Sequence, residues 1–418
     1  MTRTENSELP PEPNIAANIT QMPQAFFYPG LAEFFHLCNM FPLQLTPRIS
    51  VSLLFFAAGL TFASWASRIP DVQQLYQLGN GALGAVLFAL PAGSLISLPL
   101  WGWMIAKYGS KRMSALGLLL YPLLLCIIPM MTTTWLLWLL LFLFGMTGNL
   151  CNIAINTQAV GVEKSYDRSI MATFHAIWSL AGFTGAFLGN LFISRNISLW
   201  HHFTIIAIIS GILLLSALPR LIRGDGATTT TSSGWVLPGK ELLLLGCIAF
   251  FCMACEGTMF DWSGVYFQHV LQVPKNQVAI GYAAFMSTMA GGRFLGDWFI
   301  NRLGNKLVLR VSGLLITTGL LLSVLLPTLV IATIGFMLVG LGVSSVIPVV
   351  YSKAGKSANL SPSVALATVS SIGFIGFLIG PPIIGFIAEM FSLRWSFTLI
   401  ALLGLGTTFF SGLVKLER

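Results

Sequence analysis

Gly102-Trp103-Met104-Ile105-Ala106-Lys107-Tyr108-Gly109-Ser110-Lys111-Arg112 is a short basic break between two apolar runs, residues 81–105 and 113–131. Each run is long enough to cross a hydrocarbon core of about 30 Å at 1.5 Å per residue. On either side similar runs recur at 50–67, 135–160, 169–194, 201–219, 241–267, 277–300, 307–327, 329–352, 364–390 and 395–414, making twelve. Of 418 residues 56% are hydrophobic and 9% charged, against about 25% charged in a soluble domain. So few charges cannot cover a soluble globule of this size. The runs are apolar on every side, whereas barrel strands alternate, so membrane helices are required.

Residues 1–47 read as a tail. Pro10, Pro11 and Pro13 lie in a polar stretch expected to be disordered, and Pro29, Pro42 and Pro47 interrupt the Phe-containing stretch that follows. That second stretch is too broken to span and fits the membrane interface, unless Met40 is the true start. A cleaved signal is not expected. Residues 48–220 hold six spans, 221–240 form a flexible Gly/Thr/Ser-containing linker, and 241–418 hold six more. With both termini inside, 17 of the 22 Lys and Arg residues fall on the inner side. Only Arg68, Arg195, Lys275 and Arg394 lie outside, and Arg293 lies within a span, an asymmetry that fixes the orientation. The +8 net charge belongs to these loops and gives no reason to expect nucleic acid. Six cysteines, nearly all within apolar runs, are not a disulfide framework.

The chain also repeats itself. Gly102, Lys107 and Gly109 have counterparts 195 positions later in Asp297, Arg302 and Gly304, and the same offset joins Gly145 to Gly340 and Gly185 to Gly380. One fixed offset linking loop to loop and span to span predicts a six-plus-six duplication, with the substrate path between parallel halves near mid-membrane.

The segment Gly102–Arg112 resembles the signature loop of major facilitator superfamily transporters, Gly-x-x-x-Asp-Arg-x-Gly-Arg-Arg, and Asp297 to Lys306 is a degenerate copy with Asn301 in the carboxylate slot. The likeness covers about residues 48–415. Ala63 to Pro70, Ala154-Ile155-Asn156, Glu256-Gly257 with Asp261-Trp262, and Gly380-Pro381-Pro382 are similar to a poorly characterised bacterial inner-membrane subgroup. The resemblance implies an all-α membrane fold of twelve transmembrane helices in two pseudo-symmetric six-helix bundles. It also implies an inner-membrane location and a conformational switch controlled by Gly102, Lys107, Gly109, Arg112 and Arg302. Two departures matter. Ala106 replaces the signature carboxylate, so a lock on the outward-open state must use other groups, with Glu163 and Asp167 as candidates. Span five also lacks the Gly-Pro motif of drug–proton antiporters, because the Gly-Pro run falls in span eleven; this weighs against a multidrug exporter.

A charge at mid-membrane costs from about 3 to more than 10 kcal/mol, so ionisable residues there are functional candidates. Glu256 lies about 15 residues into span seven with no basic residue within one turn. It reads either as a proton carrier or as a carboxyl hydrogen-bonded to a neighbouring helix. Asp261 binds substrate, assists proton coupling, or pairs with Arg68. Trp65 and Arg68, three apart, share a helical face and are candidate substrate contacts. Asn149, Asn152 and Asn156 form one polar stripe that lipid cannot satisfy; they either join helices or contact substrate. His175 and Trp178 repeat the three-residue spacing, with His175 a candidate proton shuttle. Arg293 and Asp297, four apart in span eight, predict an intrahelical pair concerned with gating or structure.

Cys252 and Cys255 have no second pair to complete a zinc site. Gly355-Lys356-Ser357 imitates a phosphate loop, but Val350 stands where its first glycine is needed. No metal, cofactor or enzymatic chemistry is expected. The sequence therefore reads as a monomeric secondary transporter for a small polar or amphipathic solute. Protons are the expected coupling ion, with sodium open and a non-transporting solute sensor as the rival reading.

Overall fold

The computed structural model describes residues 46–166, 170–222, 239–355 and 362–414. The expectations for the tail, for most of the linker and for Asp167 lie outside the described residues, as does the side chain of Asp297. The first span is Pro47–Ser67, started by Pro47 at the first helical position and by Thr46, whose hydroxyl accepts from the Ile49 amide at 3.4 Å. A short helix, Ile69–Leu75, follows. Spans three to six are Ser110–Ile127, Thr134–Glu163, Met171–Ser194 and Leu199–Ala217. Spans seven to nine are Lys240–His269, Ile280–Leu303 and Asn305–Leu325. Span ten is Leu329–Ser344 continued by Val346–Ala354, and Pro362–Met390 and Leu393–Leu413 complete the set.

Among the described residues ten helices are long and apolar enough to cross a membrane, or eleven with the bent pair at span two, against the twelve expected. The shortfall has two causes. Span two is divided into Asn80–Leu87, Ala89–Ile96 and Leu98–Tyr108, because Pro91 and Pro99 lack the N–H that the turn before each of them needs. Span eight is long enough at 24 residues, but Arg293, Asp297 and Arg302 load its second half with charge.

The duplication is visible in the backbone. Gln77 and Gln272, 195 positions apart, both adopt positive φ, at 53° and 52°. Gly109 and Gly304, at the same offset, have φ of 82° and 77° where the signature loop turns into the next span. A Cβ on Gly145 would collide with the Leu90 carbonyl oxygen, and one on Gly340 with that of Phe285, so corresponding spans touch at corresponding points. Side chains repeat too: Lys107 Nζ sits 4.8 Å from the Trp103 ring centre and the Arg302 guanidinium 5.4 Å from that of Trp298.

Gly109 and Gly304 define one face of the molecule, here the signature-loop face; Gln77 and Gln272 define the far face. The halves join at the far face and at mid-depth. At the far face the Gly81 amide donates to Glu389 Oε2 at 3.1 Å, and Gln73 Oε1 meets His269 Nε2 at 3.3 Å. Span two and span eleven run close there, the backbone of Gly84 lying against Pro381 and Gly385. At mid-depth span five packs on span eight.

Candidate functional site

Between the halves lies a cavity of about 420 Å³. It extends from the depth of Asp261 to that of Asn156 and His175, toward the signature-loop side. Each wall comes from one half. The polar part of the first wall is the span-four stripe, because positions spaced by three and four residues return to one face of a helix. Asn149 is partly committed to holding helices together: its amide nitrogen donates to the Ser94 carbonyl at 2.9 Å and to Ser97 Oγ at 3.4 Å. Asn156 donates to the Asn152 carbonyl at 2.7 Å and to its Oδ1 at 2.9 Å. That arrangement leaves the Asn152 amide nitrogen and the Asn156 Oδ1 without a partner among the described residues, both in the cavity wall. His175 and Trp178 complete this wall from span five, with His175 edge-on to Phe55 at 5.5 Å.

The second wall carries the charges. Arg293 Nη2 donates to Glu256 Oε1 at 3.0 Å, and Arg293 Nη1 donates to Ser179 Oγ at 2.7 Å. The guanidinium therefore ties spans seven and eight of its own half to span five of the other. Glu256 is buried, and the ion pair offsets the desolvation that an isolated carboxylate would suffer. Asp261 also faces the cavity and has no hydrogen-bond or ion-pair partner among the described residues. Beside it Phe260 is the centre of an aromatic cluster, edge-on to Phe62 at 5.2 Å and Trp178 at 6.2 Å and stacked on Phe377 at 6.2 Å.

Several expectations need correcting. Glu256 has no basic neighbour on its own helix, but span eight supplies Arg293, which sequence distance conceals. Arg293 is engaged by Glu256 and Ser179. Asp261 does not meet Arg68. Instead Arg68 Nη1 pairs with Asp71 Oδ2 at 2.6 Å, Nε donates to His202 Nδ1 at 3.0 Å and Nη2 donates to the Ile197 carbonyl at 2.7 Å. Arg68 is thus a staple at the far face, holding the end of span one to span six. Trp65 is 1% exposed, lies 6.2 Å from Phe144 and is not part of the cavity wall. It is rotated about 80° around the helix from Phe55, which faces the cavity, and this turns it into its own half. The cavity face of span one is Phe55, Ala58 and Phe62. Their spacing of three and four residues was readable, but in a uniformly apolar helix any such series looks alike.

On the signature-loop face Lys107 rests on Trp103 and Tyr108, while Gly102 has open space around it and Arg112 is exposed. Glu163 accepts from the Ile170 and Met171 amides at 2.8 and 3.3 Å, at the start of span five, where a carboxylate complements the helix end.

Paired halves with a charged mid-membrane cavity between them fit a membrane transport protein of the secondary type. A sequence profile of the Major Facilitator Superfamily matches residues 51–365. The chain is 34% identical over 366 residues to an uncharacterized MFS-type transporter of Yersinia pestis, covering 86% of this chain and 93% of that one. It is 31% identical over 362 residues to the membrane protein MosC of Rhizobium meliloti, covering 85% of this chain and 87% of that one. Its fold is similar to the crystal structure of a point mutant of the nucleoside transporter NupG, with a TM-score of 0.74 at 15% identity over 88% of this chain and 99% of that one. The human organic anion transporter MFSD10 is similar at a TM-score of 0.63 and 15% identity, over 88% of this chain and all of that one. The chain belongs to the major facilitator superfamily.

Proposed function

We propose that this transporter moves a small polar or amphipathic solute across the inner membrane as a monomer, by alternating access and with proton coupling through Glu256. The distribution of Lys and Arg supports a cytoplasmic signature-loop face and cytoplasmic termini. The observation that carries the reading is the chain Glu256–Arg293–Ser179. Ionised Glu256 holds the guanidinium where it also reaches the opposite half. A proton on Glu256 removes the charge partner, and the tie between spans five and eight loosens with it. His175 and Asp261 line the same cavity and assist the proton's passage. Asn149, Asn152 and Asn156 supply hydrogen bonds to the solute and Trp178 an aromatic wall. Gly102, Lys107, Gly109 and Arg112, with Arg302 in the second half, control the switch at the signature-loop face.

The test starts with a thermal-shift screen of the purified protein against metabolites, since a bound solute raises apparent stability. A hit is then followed into proteoliposomes. Expected is flux that follows an imposed pH gradient and disappears in Glu256→Gln. Flux indifferent to the gradient, or unchanged in that variant, overturns the coupling assignment.

A further inference from the structure

Of the charged groups in the cavity wall, Glu256 and Arg293 satisfy each other. Among the described lining residues Arg293 is also the one side chain with a fixed positive charge. What remains is a single carboxylate, Asp261, with no protein partner among the described residues. It adjoins Phe260, whose ring meets Phe62, Trp178 and Phe377. An anionic solute would be repelled by ionised Asp261, and a neutral one would give it no counter-charge. An ammonium group answers both surroundings: it donates charge-assisted hydrogen bonds to the carboxylate and is attracted to ring faces.

We infer that the cavity takes an amine-bearing organic cation, its ammonium held between Asp261 and the aromatic cluster around Phe260. The opposite wall receives the polar remainder of the solute. There the Asn152 amide nitrogen offers a donor and Asn156 Oδ1 an acceptor, both unused by the protein among the described residues. Asp261 is then the residue that selects substrate by charge, while the Glu256–Arg293 pair stays intact when solute binds. This inference rests on the reading of the cavity as the solute site.

Equilibrium binding in detergent, with no gradient, tests it separately from proton coupling. Three probes of matched size are compared by calorimetry and thermal shift: 2-phenylethylamine, 2-phenylethanol and 3-phenylpropanoate. The wild type and Asp261→Glu are expected to prefer the amine by about ten- to a hundredfold, the range for a charge-assisted hydrogen bond. Asp261→Asn is expected to lose that preference while melting normally without probe. Equal amine binding in wild type and Asp261→Asn overturns the inference, as does a wild type that favours the alcohol or the acid, or that binds none of the three. If Asp261→Asn does not fold, the rank order of the probes on the wild type decides. The comparison of wild type with Asp261→Asn uses no gradient and leaves the Glu256–Arg293 pair in place, so failure of the coupling assignment, read from flux in Glu256→Gln, leaves a different signature.

Discussion

Arg293 and Ser179, 114 positions apart, are joined by a 2.7 Å hydrogen bond between spans eight and five. The same guanidinium holds Glu256 at 3.0 Å, so one side chain carries both the charge balance of the cavity and a link across the halves.

Removing only the cation strands a buried carboxylate. Arg293→Met is expected to cost about 3–5 kcal/mol of stability, whereas Arg293→Met combined with Glu256→Met recovers most of it. Thermal denaturation in detergent reads the difference. A double variant no more stable than the single one would show that the pair is not what stabilises this region.

The far face has its own latch. Glu389 of span eleven accepts from the Gly81 amide in the first turn of span two, where the helix end favours negative charge. Glu389→Ala is expected to weaken far-face closure by about 1 kcal/mol, or roughly fivefold in the population open on that side. The readout is thiol labelling at Val278→Cys, which is 5% exposed, in a background without the native cysteines. Labelling should accelerate when Glu389 is removed; an unchanged rate contradicts the latch.

Gly109 and Gly304 occupy a backbone region that L side chains rarely adopt. Substitution to Ala at either is expected to cost about 1–3 kcal/mol, and by similar amounts at both, because the two loops are structural copies. Unequal penalties in unfolding measurements would mean that the loops are not equivalent in energy.

Trp65 and Trp178 should separate stability from affinity. Trp65→Ala empties an enclosed site against Phe144 and is expected to cost about 3–5 kcal/mol with little change in KM. Trp178→Ala, in the cavity wall, is expected to raise KM with a smaller loss of stability. Transport kinetics and melting curves on both variants check this, and the reverse pattern would contradict the placement of the two rings.

The architecture was legible because its signals are coarse and redundant. Long apolar runs force helices, and a single 195-residue offset joins loop to loop and span to span. The span-four stripe was legible for the same reason, since three amides on one face of an apolar helix stand out. Pairing between helices was not legible. Glu256 looked isolated and Arg293 showed only Asp297 nearby, because local spacing reveals intrahelical partners alone, whereas Arg293 reaches span seven and span five. Arg68 differs: Asp71, three positions on, was within reach of local spacing, whereas His202, 134 positions away, was not. The cavity face of span one, with Phe55 and Phe62, was hidden by uniform hydrophobicity, which carries no periodic contrast to read.

Alternating access, as proposed, requires the two halves to rock about the cavity, one face closing as the other opens. Distances between spin labels at Leu75→Cys and Met390→Cys on the far face, and at Tyr108→Cys and Leu303→Cys on the signature-loop face, read that motion; all four positions are exposed. With Glu256→Gln standing in for the protonated carboxyl, the far-face distance is expected to lengthen while the signature-loop distance shortens. Two distances that stay fixed, or that change in the same direction, would contradict the rocking motion.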